Sequence, residues 1–153
     1  MFDGGGFVID GGHGPGTGVP PLLARTDFPA EWRFLLITDP DCTGLSGREE
    51  MQAFGDLPPA PADDAGRICR AVLMQLLPGL HEQDFDGVSA ALRLVQDSVG
   101  DYFAPSQGGR YTSARVADAL AWLDGRGVRG IGQSSWGPTG FALLPSAEAA
   151  EAA

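Results

Sequence analysis

The segment at residues 130–140 combines the residue types best suited to holding a polar ligand that carries a flat ring. Its sequence is Gly-Ile-Gly-Gln-Ser-Ser-Trp-Gly-Pro-Thr-Gly, between a helical pattern and an apolar strand. Glycines let a ligand approach the main chain, whose N–H groups can cradle a phosphate, while an indole can stack on an aromatic ring. The alternative is a tight connection that buries the indole. We predict a substrate-binding loop made of Gly130, Gly132, Gln133, Ser134, Ser135, Trp136, Gly137 and Thr139.

A second candidate is the glycine-rich stretch at residues 10–18, which contains Asp10 and His13. Asp10 ends a predicted strand, where it either faces the site and holds Mg²⁺ or caps a turn. His13 has a side chain that titrates near neutral pH, so it either acts on a leaving group or lies exposed in the loop. We include both residues in the predicted substrate-binding set.

Two further groups have simpler explanations. Asp39 and Asp41 flank Pro40 after the strongest predicted strand, where carboxylates can bind a metal but turn formation explains them better. Gln107 and Arg110 precede a predicted helix start, where they either contact an anion or lie in a solvated loop. We therefore assign no metal ligand from the sequence.

Hydrophobic periodicity predicts the elements that position these residues. Strands are expected at 6–10, 22–25, 32–38 and 141–144, and helices at about 46–54, 63–77, 86–103 and 113–124. The apolar run at 32–38 is expected to be buried on both faces, and Pro78-Gly79 to end the second helix. This order predicts an α+β fold, a small, mostly antiparallel sheet with helices packed on one face. We expect one domain at 1–145 and a frayed Ala/Glu tail at 146–153.

Composition excludes some classes of partner. The 153 residues carry a net charge of −10, and all ten basic residues are arginines. No basic patch for nucleic acid and no apolar run of roughly 18 residues for a membrane helix are present, so we expect neither partner. Cys69 lies on the predicted apolar helix face, which indicates a buried thiol and a cytoplasmic setting.

Three segments in one order resemble a known enzyme family. They are residues 5–12 (Gly-Gly-Phe-Val-Ile-Asp-Gly-Gly), residues 34–38 together with 44–50, and residues 132–139 (Gly-Gln-Ser-Ser-Trp-Gly-Pro-Thr). Together they resemble the C-terminal half of beta-ribofuranosylaminobenzene 5′-phosphate synthase, a family of the GHMP kinase superfamily. The resemblance covers most of the chain, and the last segment is its most specific part.

The resemblance implies a fold, an activity and partners. It implies a ferredoxin-like GHMP C-terminal domain and a decarboxylating glycosyltransferase of tetrahydromethanopterin biosynthesis. The enzyme condenses phosphoribosyl pyrophosphate with 4-aminobenzoate, or a 4-hydroxybenzoate relative, with loss of CO₂ and pyrophosphate, and Mg²⁺ is expected. The family's amino-terminal half has no counterpart here, so the chain is expected to be a fragment, a truncated gene product or one subunit of a split enzyme, with an amino-terminal partner subunit or a homo-oligomer as the partners to consider. The alternatives are a GHMP-type small-molecule kinase relative and a non-catalytic binding or assembly module.

Overall fold

Two separate antiparallel sheets contain all the strands in the computed structural model, which describes residues 5–12, 16 and 18–153. Strands β1 (Phe7–Asp10) and β2 (Leu22–Thr26) form the first sheet. The second sheet has the order β3-β5-β4, built from β3 (Arg33–Ile37), β4 (Ile131–Gln133) and β5 (Gly140–Leu144). The helices are α1 (Gly47–Asp56), α2 (Ala62–Ala71), α3 (Leu77–Glu82), α4 (Phe85–Gln107), α5 (Ala114–Asp124) and α6 (Ala147–Ala152).

The central strand β5 is covered by helices on both faces. Neighbouring side chains on a strand point to opposite faces. Leu143 packs with Val88 and Ala91 of α4, whereas Ala142 packs in a second cluster with Leu120 of α5. The predicted α+β class with a small antiparallel sheet is confirmed. The helices, however, are divided between the two faces because β5 is apolar on both sides.

Strand β3 lies at an edge of its sheet and is buried on one face only. Leu35 and Ile37 pack against the α5 cluster, but Phe34 is 47% exposed and Leu36 is 65% exposed. The predicted burial of this strand on both faces is therefore wrong. Its neighbour β5 occupies the middle of the sheet, and α4 packs on β5 at Leu143. Phe34 and Leu36 on the same face of β3 stay exposed.

Proline does not end the second helix as expected. A π-helical segment (Val72–Leu76) follows α2, and α3 then begins with Pro78 in its first turn. Leu76 and Leu77 keep helical dihedrals, so the chain stays helical into Pro78, directly after the wider π-helical segment. Helix α4 likewise continues through Pro105 to Gln107, over part of the predicted loop at 104–109.

Two smaller expectations are corrected at the helix surfaces. The Cys69 thiol is exposed, because α2 buries Ala71 and only half-buries Ile68 on its inner side. The tail is helical rather than frayed: the Ser146 hydroxyl accepts a hydrogen bond from the Ala149 amide at 3.2 Å and caps α6. Helix α6 contacts β3 and β5. Within the described ranges, no helix combines the length and apolarity needed to cross a bilayer.

Candidate functional site

The predicted loop forms a tight turn between β4 and β5. The Ser134 amide donates to the Thr139 carbonyl at 2.9 Å, and the Gly137 amide donates to the Ser134 carbonyl at 2.9 Å. Ser135 and Trp136 are therefore the central residues of a four-residue turn. Ser135 adopts φ of +50° and Gly137 φ of +71°, both in the left-handed region that glycine tolerates and other residues rarely enter.

A buried amide side chain holds this turn from inside the protein. Gln133 is only 8% exposed, and its Oε1 accepts a hydrogen bond from the Thr112 amide at 2.7 Å. Its Nε2 donates to the Ser135 carbonyl at 3.1 Å and to Gln107 Oε1 at 3.2 Å. The Thr112 hydroxyl donates to the Trp136 carbonyl at 2.8 Å. Both central residues of the turn are thus fixed through their carbonyl groups.

The start of the turn is also tied to helix α4. The Gln133 amide donates to Gln96 Oε1 at 2.9 Å. Gly132 lies against the Gln96 side chain so closely that an added Cβ would overlap it. Gly130 and Gly132 are buried, and the Gly130 carbonyl accepts from the Leu143 amide at 2.7 Å. The structure therefore gives Gln133, Gly130 and Gly132 positioning roles, and the expected direct contact of the Gln133 amide with substrate is corrected.

The indole of Trp136 lies inside the protein. The residue is 3% exposed, and its ring centroid is 4.4 Å from that of Phe103 and 5.3 Å from that of Phe54. These neighbours occupy the space that a substrate ring would need. The expected stacking of Trp136 on a flat acid is therefore corrected: the indole anchors the turn in an aromatic cluster.

The outer side of the turn keeps its polar groups available. Ser134 and Ser135 are exposed, and Thr139 and Gly137 are half-buried beside them. The amides of Ser135 and Trp136 form no hydrogen bond with any residue of the described ranges. Backbone amides in a turn, together with hydroxyls, can bind anionic oxygens, and the exposed Ser134 and Ser135 supply such groups. The chemistry that this turn supports is the binding of a phosphate or a carboxylate.

Asp10, the described residue of the second predicted group, forms no hydrogen bond with this turn. Asp10 ends β1 in the two-stranded sheet, whereas the turn belongs to the three-stranded sheet. The Asp10 carboxylate accepts a hydrogen bond from the Gly12 amide at 2.9 Å, which is the turn-capping alternative. His13 lies outside the described residues.

The carboxylates that follow β3 have a structural role. Asp39 is 9% exposed and accepts hydrogen bonds from the Ser113 hydroxyl at 2.6 Å and the Asp41 amide at 3.1 Å. These two bonds, together with the Arg115 charge, hold the pKa of the Asp39 carboxyl below its ordinary value of 3.8, although burial opposes them. Arg115 also pairs with Asp41 at 2.6 Å. This network attaches the end of β3 to the start of α5.

Arg110 is also engaged within the protein. Its guanidinium pairs with Asp97 at 2.7 Å and with Asp101 at 2.8 Å, so it is not a free anion ligand. In the part of the chain that the structure describes, no three His, Cys, Asp or Glu side chains converge as a metal site. Among residues 5–12, 16 and 18–153, the structure therefore shows no cluster of three such side chains that could hold the expected Mg²⁺.

Gln96 and Thr112 are the contributors that sequence reasoning missed. Gln96 is a polar residue next to Val95 within the helix predicted at 86–103, and a polar residue among apolar neighbours indicates a hydrogen bond inside the protein. Thr112 directly precedes Ser113, which caps α5: the Ser113 hydroxyl accepts from the Val116 amide at 3.2 Å.

The fold and the turn define the class of protein. Residues 76–153, just over half of the chain, match the family described as GHMP kinases C terminal, and the chain belongs to this family. The predicted membership of the GHMP superfamily is confirmed.

Relatives extend the match toward the amino terminus. The chain is 32% identical over 160 residues to a protein of Archaeoglobus fulgidus named beta-ribofuranosylphenol 5′-phosphate synthase, covering 95% of this chain and 47% of the relative. It is 27% identical to a protein of the same name from Methanothermobacter thermautotrophicus, covering 93% of this chain and 46% of the relative. The chain thus spans about half the length of these relatives. Their names confirm the predicted resemblance to a synthase family.

Proposed function

We propose that the chain supplies part of the active site of a synthase that joins phosphoribosyl pyrophosphate to 4-hydroxybenzoate or 4-aminobenzoate. The similarity to the archaeal synthase over 95% of the chain carries this proposal. The name of that relative refers to the phenol product, which favours the hydroxy acid as the first acceptor to test. The products are the C-riboside 5′-phosphate, CO₂ and pyrophosphate, as in tetrahydromethanopterin biosynthesis.

The turn at residues 134–137 has a defined part in this reaction. The bond from the anomeric carbon to pyrophosphate breaks, a bond to the carboxylate-bearing ring carbon forms, and the ring then loses CO₂. Negative charge develops on the leaving pyrophosphate, and amide donors fixed before the reaction stabilise such charge without reorganisation. The Ser135 and Trp136 amides and the Ser134 hydroxyl are the donors that we assign to a phosphate of the substrate.

We propose that Mg²⁺ binds together with the phosphates of the substrate. When bound, it neutralises phosphate charge and assists departure of the leaving group. Mg²⁺ commonly binds through one or two carboxylates plus substrate phosphates, and it does not need a protein-only cage. This mode agrees with the lack of a three-ligand cluster within the described ranges.

The partner that we propose is the amino-terminal half of a synthase, which would cover an exposed face of this chain. Phe34 and Leu36 form an exposed apolar face on β3, of the kind that protein interfaces cover. The chain spans 47% of its Archaeoglobus fulgidus relative, so the remaining half of a synthase is available as the covering element. We propose that this amino-terminal half, on the same polypeptide or on another, docks on the β3 face.

The experiment measures ¹⁴CO₂ released from carboxyl-labelled 4-hydroxybenzoate in the presence of phosphoribosyl pyrophosphate and Mg²⁺. The chain is assayed alone and with a polypeptide that corresponds to the amino-terminal half of the relatives. We expect release with both components, and none when phosphoribosyl pyrophosphate is omitted. The same assay with 4-aminobenzoate identifies the preferred acceptor.

A double variant of the turn and a control variant elsewhere test whether the loss of activity is specific to the turn. Ser135→Gly deletes an exposed hydroxyl while accepting the positive φ, and Ser134→Ala deletes its neighbour. Ser106→Ala on α4 is the control. We expect about a 10-fold or greater fall in kcat/KM for the double turn variant and less than a 2-fold change for the control. ATP-dependent phosphorylation of a small alcohol without CO₂ release would instead support the kinase alternative.

A further inference from the structure

We propose that a cavity at the opposite end of the β4–β5 hairpin binds a small organic carboxylate. The cavity has a volume of about 430 Å³ and lies between the start of α4, the loop before β4 and the end of β5. The turn proposed to bind phosphate lies at the other end of the hairpin, so this is a second site, independent of the proposed synthase function.

An orphaned hydroxyl marks the inner wall of the cavity. Ser89 lines the cavity, is 2% exposed, and its Oγ has no hydrogen-bond partner within the described ranges. A buried hydroxyl without a partner is costly, and native proteins rarely leave one unpaired. An acceptor oxygen of a ligand in the cavity would satisfy it.

The outer wall provides the positive charge. Arg126 and Arg129 line the cavity, and Asp86 is the acidic residue in its lining. Arg129 is paired with Asp124 at 3.1 Å, whereas Arg126 forms no ion pair with a described residue. The Arg126 guanidinium carbon lies 3.5 Å from the Trp122 ring centroid, so the aromatic face holds the group in place. Among the described residues, Arg126 is therefore the unpaired positive group beside the cavity, and a charge-assisted contact with it must outweigh the net charge of −10 on the chain.

Four other lining residues are apolar, and they would contact the hydrocarbon part of the ligand. Phe85, Val128, Leu143 and Pro145 contribute to the walls. The volume is within the range of small-molecule sites, which typically combine an apolar lining with a few polar groups. A carboxylate with a short apolar chain matches all three components: Arg126 for the charge, Ser89 for an oxygen, and the apolar wall for the chain.

Butyrate is a suitable probe, with butan-1-ol and butylamine as neutral and cationic comparisons. Titration is followed by the ¹⁵N-¹H shifts of the full chain, with attention to the Gly127, Val128 and Leu144 amides. We expect saturable butyrate shifts at these amides with a Kd of about 1–10 mM, and weaker binding of the alcohol and the amine. No saturable shift below about 50 mM, or tighter binding of butylamine, would overturn the proposal.

Four variants test the two polar contacts. Ser89→Ala removes the unpartnered hydroxyl without removing a hydrogen bond, so the fold is retained, and Arg126→Gln removes the charge. Each is expected to raise the butyrate Kd about 3–10-fold, while Arg126→Lys gives an intermediate value. Arg70→Gln, at an exposed arginine of α2 outside the cavity, is the matched control and is expected to leave the Kd unchanged. Equal Kd values for the wild type and either the Ser89 or the Arg126→Gln variant would contradict the assignment.

Discussion

Gln133 shows how a single buried side chain determines what the turn presents to solvent. Its amide bonds the Thr112 N–H, the Ser135 carbonyl and Gln107, whereas the Ser135 and Trp136 amides form no hydrogen bond with a described residue. An amide side chain is suited to this position because it donates and accepts at once. The residue therefore acts on any bound anion through the turn and not by contact.

Gln133→Leu should destabilise the protein markedly. Leucine fills a similar volume but removes the bonds to the part-buried Thr112 amide, to Gln107 and to the Ser135 carbonyl, and a polar group left unpaired away from water costs about 1–3 kcal/mol. We expect the free energy of unfolding, measured by urea titration, to fall by about 2–4 kcal/mol. The exposed Gln52 of α1 supplies the control, Gln52→Leu, with an expected change within about 0.5 kcal/mol. Equal changes in the two variants would show that the Gln133 bonds contribute nothing.

Asp39 should make the free energy of unfolding depend on pH under acidic conditions. Its pKa is lower in the folded protein than its ordinary value of 3.8, chiefly because of the Ser113 hydroxyl bond. The carboxylate therefore contributes stability that is complete above that ordinary value and is lost as the pH falls through the folded pKa. We expect the urea midpoint to fall more steeply for the wild type than for Asp39→Asn below about pH 4. Asp27→Asn, at an exposed aspartate, should follow the wild-type curve.

At the scale of elements, close backbone contacts position the turn against the rest of the fold. The loop that precedes α1 passes so near the turn that a Cβ at Gly44 would overlap the Trp136 and Gly137 carbonyls. Phe54 of α1 then packs on the Trp136 ring at 5.3 Å. Helix α1 and its leading loop therefore support the turn from one side, and α4 supports it from another.

Two glycine substitutions should have effects of opposite sign. Gly44→Ala forces the loop away from the turn carbonyls and should lower the free energy of unfolding by about 1–3 kcal/mol. Gly66→Ala lies within α2, where a Cβ meets open space, and should raise it by about 0.5–1 kcal/mol through better helix propensity. Thermal unfolding monitored by circular dichroism measures both. A stabilising effect of Gly44→Ala would contradict the described contact.

Periodicity was sufficient to predict the helix around Val116 and Leu120 and the strand around Phe141, because local burial patterns fix these elements. It did not predict β4, since Ile131-Gly132-Gln133 becomes a strand only by pairing with β5. The turn was predicted from its glycines and hydroxyls, but the burial of Trp136 depends on Phe54 and Phe103, which are distant in sequence. Such long-range contacts leave no local signal.

At the scale of the whole molecule, the uncovered face of β3 is the surface on which we propose that an amino-terminal half docks. Phe34 and Leu36 point away from the α5 cluster, and Phe34 stacks on Phe28 at 5.4 Å and meets Phe141 at 5.6 Å. These rings form an apolar surface that the described residues do not bury. The proposed amino-terminal half would cover it and would bring its own residues toward the sheet.

Leu36→Glu should weaken association with that half. A carboxylate placed in an apolar interface must be desolvated without a partner, so we expect at least about a 10-fold rise in Kd by analytical ultracentrifugation. Leu73→Glu, at an exposed leucine of the π-helical segment, is the matched control. Equal effects of the two substitutions would place the interface elsewhere or make it non-specific.

The most direct test of the phosphate-binding turn observes its own amides in the assembled protein. This chain is labelled with ¹⁵N, combined with the unlabelled amino-terminal half, and titrated with phosphoribosyl pyrophosphate and Mg²⁺. We predict that the Ser135 and Trp136 amide resonances show the largest shifts, and that Ser135→Gly with Ser134→Ala weakens binding about 10-fold. Saturable binding that leaves both resonances in place would contradict it.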